Sequence, residues 1–216
     1  MAPDLHIIGT RGLAKEAAQL ARRIDPDAVR WRRIRYVTHD PAELGQARPF
    51  GTVDLLDEAL ATLDSPADVI IGIGHAPQRH RVAVALRGHA HLRFPNLIHP
   101  RVEVDPALVS LGVGNMITQG VVITCDIALG DFNLVNWNVT IGHDCRIGSY
   151  NVINPGSSVS GNVTLGDACL IGTGARILEG LRVADNVTLG AGAVLIRSID
   201  TAGGTYVGIP ACRVST

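Results

Sequence analysis

The chain has 216 residues, 46% of them hydrophobic, and balances 19 Lys and Arg against 20 Asp and Glu for a formal net charge of -1. That length accommodates one or two domains with a sizeable core, and near-neutrality argues against non-specific binding to nucleic acid or to an acidic membrane surface. No apolar run is long enough to span a bilayer, the first apolar stretch is too short for a secretory signal, and four cysteines spaced by 20, 24 and 43 residues match no zinc pattern, so the expectation is a cytoplasmic protein with reduced thiols.

The first 94 residues alternate strand and helix signals. Leu5-His6-Ile7-Ile8 predicts a buried strand, Gly9-Thr10-Arg11-Gly12 a tight turn, and a helix runs on to about Arg23. A second strand is expected over 34–37, a helix over 54–63, a third strand over 69–74 and a helix over 78–86. This order implies a small Rossmann-like α/β domain over 1–94, with a parallel sheet and a ligand crevice at the strands' carboxyl ends. Gly9 and Gly12 supply half of a dinucleotide fingerprint, opening onto a helix N-terminus that favours an anion. The third glycine is missing, with Ala14 or Lys15 near its place. No acidic residue clearly ends the second strand, where Thr38, His39 and Asp40 lie. An intact redox-cofactor site is therefore not expected, while a looser nucleotide-sugar pocket and a purely structural turn both stay open. His75, after the third strand, is either a ligand contact or an ordinary loop histidine. Arg30, Arg32, Arg33 and Arg35 read as a solvated strand end rather than a phosphate site.

A joint carrying Pro95, Pro100 and Pro106 leads into a different pattern, expected to form a second domain over 95–200 with a tail over 201–216. From Leu111 to Leu195 every sixth residue is aliphatic, as in Val135, Ile141, Ile147, Ile153, Val159 and Leu165. A six-residue period fits neither a helix face nor a strand face. It is the signature of a parallel solenoid, whose coils must stack because none can bury its apolar residue alone. The residue four places after each aliphatic is usually small or β-branched and expected inward, so Cys145 and Cys169 read as core filler. The residue directly after it is often small, as in Gly130, Gly142, Gly148 and Gly172, and reads as the bend.

With three hexads to a coil, residues eighteen apart stack into columns. Asn115, Asn133 and Asn151 form a ladder of amides. Met116, Leu134, Val152, Leu170 and Thr188 are apolar where an outward position is expected, and this edge is assigned to a subunit interface in preference to a contact with the N-terminal domain. Cys125, His143, Gly161 and Glu179 form a third column, in which His143 is the one histidine of the strict repeat. Adjacent strand residues point to opposite sides, so Asp144 can assist His143 only if the pair lies at a bend.

The run Asn136-Trp137-Asn138-Val139-Thr140-Ile141-Gly142-His143-Asp144-Cys145, followed by Asn154-Pro155-Gly156 and Gly161-Asn162-Val163, resembles the sugar acetyltransferases of the left-handed β-helix, hexapeptide-repeat class. The ending Tyr206-Val207-Gly208-Ile209-Pro210-Ala211 with Arg213 is similar to the family's closing motif, and Gly9-Thr10-Arg11-Gly12 to its accessory domain. These enzymes N-acetylate nucleotide-linked 4-amino sugars or O-acetylate sialic acid. The resemblance implies left-handed coiling, against the usual hand of parallel crossovers, a homotrimer with active sites between subunits, and acetyl-CoA as co-substrate. It implies His143 as general base, Asp144 raising its basicity, Asn136 at an active-site position and Gly161 offering its amide to the thioester carbonyl. The pantetheine arm would run along later coils near Val152, Thr173, Ala191 and Arg197. The acceptor, a nucleotide-linked amino sugar of the 4-amino-4,6-dideoxy type, would meet Gly9, Thr10, Arg11, Gly12, His39, Asp40 and His75. The chain departs from the family at Leu13-Ala14, where His-Gly is usual, and at Thr38-His39, where an acidic pair is usual.

The implied chemistry is coherent: imidazole can take a proton from an attacking amine near neutral pH, and a backbone N–H can hold the tetrahedral oxyanion. No covalent intermediate is needed, so Cys125 is not expected to carry an acyl group. The rival readings are O-acetylation by the same histidine, a metal-dependent β-helix lyase and a non-catalytic scaffold. A lyase would need about three histidines around zinc, whereas His99 lies far from His143 at the start of the repeat, so no metal site is expected.

Overall fold

The computed structural model describes residues 2–56, 59, 60, 63 and 66–214, which fall into two compact units, Met1–Leu97 and Ile98–Thr216. The first is a six-stranded sheet of β1 (Leu5–Ile8), β2 (Ile34–Thr38), β3 (Ala47–Arg48), β4 (Gly51–Leu56), β5 (Ala67–Ile71) and β6 (Leu92–Arg93), in the order β3-β4-β2-β1-β5-β6. All neighbours are parallel except the β3-β4 hairpin. Central β1 is buried at every residue, which is why apolar Leu5, Ile7 and Ile8 do not alternate with exposed positions and even His6 is enclosed. Helix α1 (Gly12–Ile24) turns Ala14, Ala17, Ala18 and Ala21 inward, and α2 is Ala76–Arg87.

Over 54–56, the start of the helix expected over 54–63, the chain instead completes β4, parallel to β2, while residues 59 and 60 lie in a 3-10 turn. Buried Val53 between exposed Thr52 and Asp54 has the period of a strand, and a Cβ on Gly51 would overlap the Ile34 carbonyl oxygen of the neighbouring strand. Residues 57, 58, 61 and 62 of the expected helix lie outside the described residues. At the opposite end of the sheet from its ligand crevice, Arg32 and Arg35 donate through Nε to Asp4 at 3.0 and 2.7 Å, as a solvated strand end requires.

The second unit is a β-solenoid of two- and three-residue strands in three parallel sheets, stacked with an eighteen-residue step: Val135 lies opposite Ile153, Ile141 opposite Val159, Ile147 opposite Leu165. The hexad aliphatics and the small residues four places later, including Val139, Cys145, Ala175 and Val187, form one continuous core. Residues Thr205–Val207 extend one sheet in parallel beside Thr188–Leu189, and Cys212–Val214 adds an antiparallel strand beyond them.

Two features of the repeat differ from the sequence reading. The left-handed residue of each bend lies three places after the aliphatic, as at Asn138 (φ 56), Asp144 (φ 60) and Asn162 (φ 58), not one place after it. The position directly after the aliphatic is small for another reason, the close approach of the next coil: a Cβ on Gly142 would come within 2.6 Å of the Gly161 nitrogen, and one on Gly172 within 2.5 Å of the Ala191 nitrogen. The apolar edge is also not an exposed stripe. Met116, Leu134 and Val152 retain 0, 1 and 1% of their surface and are packed within the one chain, while Leu170 and Thr188, farther along the column, stay partly exposed. A column's apolarity records that something covers it, and in this chain the cover is intramolecular.

The asparagine column is an internal hydrogen-bond ladder. Asn115 Oδ1 accepts from Asn133 N at 2.8 Å, Asn133 Oδ1 from Asn151 N at 2.9 Å, and Asn151 Oδ1 from Cys169 N at 2.7 Å. Asn133 Nδ2 also donates to Gly148 O at 3.0 Å. Replacing Asn133 by Ala strands a buried N–H and a buried carbonyl, each costing about 1–3 kcal/mol. The expected loss of unfolding free energy in urea is therefore about 2–6 kcal/mol, and a loss below about 1 kcal/mol would contradict this account.

Candidate active site

The residues two places after each aliphatic stack at the three corners of the solenoid, and the corners differ in chemistry. At the first, side chains of one coil cap backbone N–H groups of the previous one: Asp131 Oδ1 accepts from Val113 N at 2.8 Å, Ser149 Oγ from Asp131 N at 3.0 Å, Asp167 Oδ1 from Ser149 N at 2.7 Å and Asp185 Oδ1 from Asp167 N at 2.8 Å. This corner is saturated. The second carries Gln119, Trp137, Pro155, Thr173 and Ala191; the third carries Cys125, His143, Gly161, Glu179 and Arg197.

His143 occupies the third corner with Asp144 beside it in the left-handed conformation (φ 60). That twist breaks the strand alternation and lets adjacent side chains meet, with His143 Nδ1 2.8 Å from Asp144 Oδ2. Both side chains are about half exposed, at 54% and 55%. The Asp144 hydrogen bond, reinforced by the charges of Asp144 and Glu179, raises the imidazole pKa above its ordinary value against a smaller opposing effect of desolvation. With Nδ1–H donated to Asp144, Nε2 is left as the acceptor.

Gly161 lies directly over this ring. A Cβ there would come within 2.7 Å of His143 Nε2 and Cε1, so only glycine leaves room for the imidazole. Its carbonyl accepts from Gly180 N at 3.0 Å, while its own N–H meets no acceptor among the described residues. The third corner thus pairs a proton acceptor with a free backbone donor. Cys125, one coil below, contributes its carbonyl to Asp144 N at 3.1 Å.

The remaining expected residues are dispersed. Thr173 and Ala191 are exposed at the second corner, a third of a turn from His143, while Arg197 is exposed at the far end of the third. Asn136 is buried, with Oδ1 accepting from Trp137 N at 2.9 Å. Val152 is excluded as a pantetheine contact: its strand lies between Leu134 and Leu170, and its side chain is inaccessible.

In the first unit, Gly9, Thr10, Arg11, His39, Asp40 and His75 converge on one crevice of about 370 Å³ at the carboxyl ends of β1, β2 and β5. Gly12 does not reach it. Gly9 holds φ 106, which other residues resist. The close helix-to-sheet contact that a third glycine would permit is made from the other side: a Cβ on Gly72 would lie 2.7 Å from the Ala14 Cα. Asp40 is committed to the 3-10 turn Pro41–Glu43, accepting from Ala42 N at 2.9 Å.

Two residues escaped the sequence reading, Glu43 in the crevice lining and Arg79 buried behind it. Glu43 Oε2 accepts from Thr38 Oγ1 at 2.7 Å and Thr10 Oγ1 at 2.8 Å, which lowers the pKa of its carboxyl. Its signal is in the sequence, since Asp40-Pro41-Ala42-Glu43 has the spacing of a helix-start capping motif that returns the acid toward the preceding strand. Arg79 is fully buried and donates through Nη1 to Ile71 O and Ile73 O at 2.8 and 2.9 Å, fixing the segment that leaves β5 along the crevice. Burial lowers its pKa to about 10. An arginine in the first turn of a helix without a clear apolar face does not announce such a role. Among the described residues, no group of three or more His, Cys, Asp or Glu side chains could hold a metal ion, and no helix is long and apolar enough to cross a membrane.

No family model matches the chain and no curated protein does. Solved structures do. The acetyltransferase domain of PglB from Neisseria gonorrhoeae FA1090, in complex with acetyl coenzyme A, superimposes with a TM-score of 0.88 at 30% identity, covering 99% of this chain and 100% of that one. PerB from Caulobacter crescentus, in complex with CoA and GDP-perosamine, gives a TM-score of 0.85 at 27% identity over 100% and 99%. WeeI from Acinetobacter baumannii AYE gives 0.84 at 25% identity over 99% and 100%. The hexad solenoid with His143, Asp144 and Gly161 stacked at one corner, and the end-to-end match to a relative at 30% identity, establish that the chain belongs to the hexapeptide-repeat β-helix sugar acetyltransferases.

Proposed function

We propose that the protein transfers the acetyl group of acetyl-CoA to the amino group of a nucleotide-linked 4-amino-4,6-dideoxy sugar. The observation that carries this reading is the packing of Gly161 against the His143 ring, with a Gly161 N–H that meets no acceptor among the described residues and a His143 Nδ1 engaged by Asp144. His143 Nε2 accepts the proton of the amine as nitrogen bonds to the thioester carbon. The carbonyl oxygen takes up negative charge, which the Gly161 N–H holds; the C–S bond then breaks and the thiolate leaves with the proton from His143. Asp144 orients the ring and stabilises the imidazolium form.

The acetyl-CoA complex of PglB and the GDP-perosamine complex of PerB support both substrates. The same likeness supports left-handed coiling and division of labour between domain 1–94, which takes the nucleotide in the crevice lined by Gly9, Thr10, Arg11, His39, Asp40 and His75, and domain 95–200, which performs the transfer. A homotrimer is part of this reading. Thr173 and Ala191 lie at the second corner, with buried Asn136 directly before the corner residue Trp137, and so are a third of a turn from His143 of their own chain. A neighbouring copy would bring its second corner to the third corner of this one, and Arg197 would lie along the same seam.

Three measurements test it. His143→Ala, assayed by thiol release from acetyl-CoA in the presence of nucleotide-linked amino sugars, should lose about 100-fold or more in turnover while the circular dichroism spectrum is kept; undiminished turnover would sink the proposal. In the pH-rate profile, activity should rise with pH through an apparent pKa above the ordinary histidine value, because the base works only when neutral. Asp144→Asn should shift this acidic limb to lower pH and lower the plateau, and an unmoved limb would remove Asp144 from the mechanism. Gly161→Ala places a methyl group against the imidazole and should cost at least about tenfold in kcat with thermal stability little changed, an outcome checked by steady-state kinetics and a melting curve.

A further inference from the structure

We propose that Glu43 reads the ribose 2′-hydroxyl of the acceptor's nucleotide, making the enzyme selective for ribonucleotide-linked over 2′-deoxyribonucleotide-linked sugars. This rests on the reading that the crevice of the first unit binds a nucleotide. In α/β folds with a glycine turn after the first strand, the diphosphate lies at the helix N-terminus and a carboxylate at the end of the second strand accepts from the ribose. Here β2 ends at Thr38, and the nearest acid, Asp40, caps the 3-10 turn through Oδ1 and is exposed, with no second hydroxyl to fix its carboxylate.

Glu43 fills the vacant role from a different element. Its carboxylate is drawn back to the end of β2 by the Thr38 hydroxyl and to the glycine turn by the Thr10 hydroxyl, both bonded to Oε2. Those two bonds saturate one oxygen and fix the plane of the group. Oε1 faces Arg48 Nη2 at 3.6 Å, an ion-pair distance too long for a hydrogen bond, and remains available as an acceptor. Arg48 is in turn held by its Nε bond to Thr10 O at 3.3 Å. A fixed carboxylate repels phosphate and so suits a neutral part of the ligand that carries donors. The first turn of α1, by contrast, holds no acidic residue and leaves the diphosphate its place at the helix end. Thr10 and Thr38 are positioning residues in this scheme.

The test is isothermal titration of the full chain with UDP, GDP and their 2′-deoxy counterparts. A lost hydrogen bond to a charged group is worth about 1.5–3 kcal/mol, so the better of the two ribonucleotides should bind about 10- to 100-fold tighter than its 2′-deoxy form. Glu43→Gln should weaken the ribonucleotide by a similar factor, leave the 2′-deoxy form within about twofold, and leave acetyl-CoA binding unaltered. Equal wild-type affinity for ribo and deoxy forms overturns the assignment, and needs no variant to be seen. A Glu43→Gln protein that keeps its preference overturns it equally. A wild-type protein that binds none of the four nucleotides removes the nucleotide reading of the crevice itself, and the Glu43 assignment with it.

Discussion

A two-residue strand has too few hydrogen bonds to persist alone, and a single coil of the solenoid leaves its aliphatic side chains half uncovered. What holds the second unit is the eighteen-residue register that places each backbone segment on the one before it. The register requires an inward aliphatic at every sixth residue, a small residue directly after it where successive coils nearly touch, and a left-handed residue at each bend. The left-handed position tolerates Phe132 and Tyr150 as well as Asn and Gly, although bulky residues there cost about 1–2 kcal/mol. Their rings stack in near-parallel planes, 5.9 Å between centroids, which offsets part of that cost.

The same register creates the chemistry by deciding which backbone donors are satisfied. At the first corner a carboxylate or hydroxyl in each coil takes up the N–H below it, and nothing is left for a ligand. At the third corner the side chain above His143 is absent, because Gly161 has none, so the imidazole has room. The Gly161 amide is not capped either. Glycine at 161 thus leaves room for the imidazole, while its own amide stays open because Glu179, one coil on, does not cap it as Asp131 caps Val113. Asp144 reaches the ring through the left-handed bend conformation that the coils share at that position.

This explains what was legible in the sequence. Periodicity is a one-dimensional record of the register, so the columns His143 over Cys125, Gly161 over His143 and the asparagine ladder could all be drawn by counting. Counting could not distinguish two reasons for a small residue, and so Gly142 and Gly172 were read as bends when they are points of close contact. It could not say what covers an apolar column, and so Met116, Leu134 and Val152 were read as an exposed edge when they are buried in the chain. In the first unit no such register exists. The segment starting at Gly51 is a strand because β2 offers it a partner, a long-range condition that local helix signals over 54–63 do not contain.

The departures at the glycine turn follow the same distinction between residue type and physical requirement. A third glycine is one way to bring a helix close to a sheet; Gly72 on the strand side against Ala14 on the helix satisfies the same spacing. An acid at the end of the second strand is one way to place a carboxylate in the crevice. A capping turn five residues later, with two threonine hydroxyls to hold its glutamate, meets that need from another part of the chain. The requirement persists while the residues that meet it move. Residues far apart in the linear pattern can thus come together in space: the crevice sets a helix N-terminus without acidic residues in its first turn beside a carboxylate held by two hydroxyls.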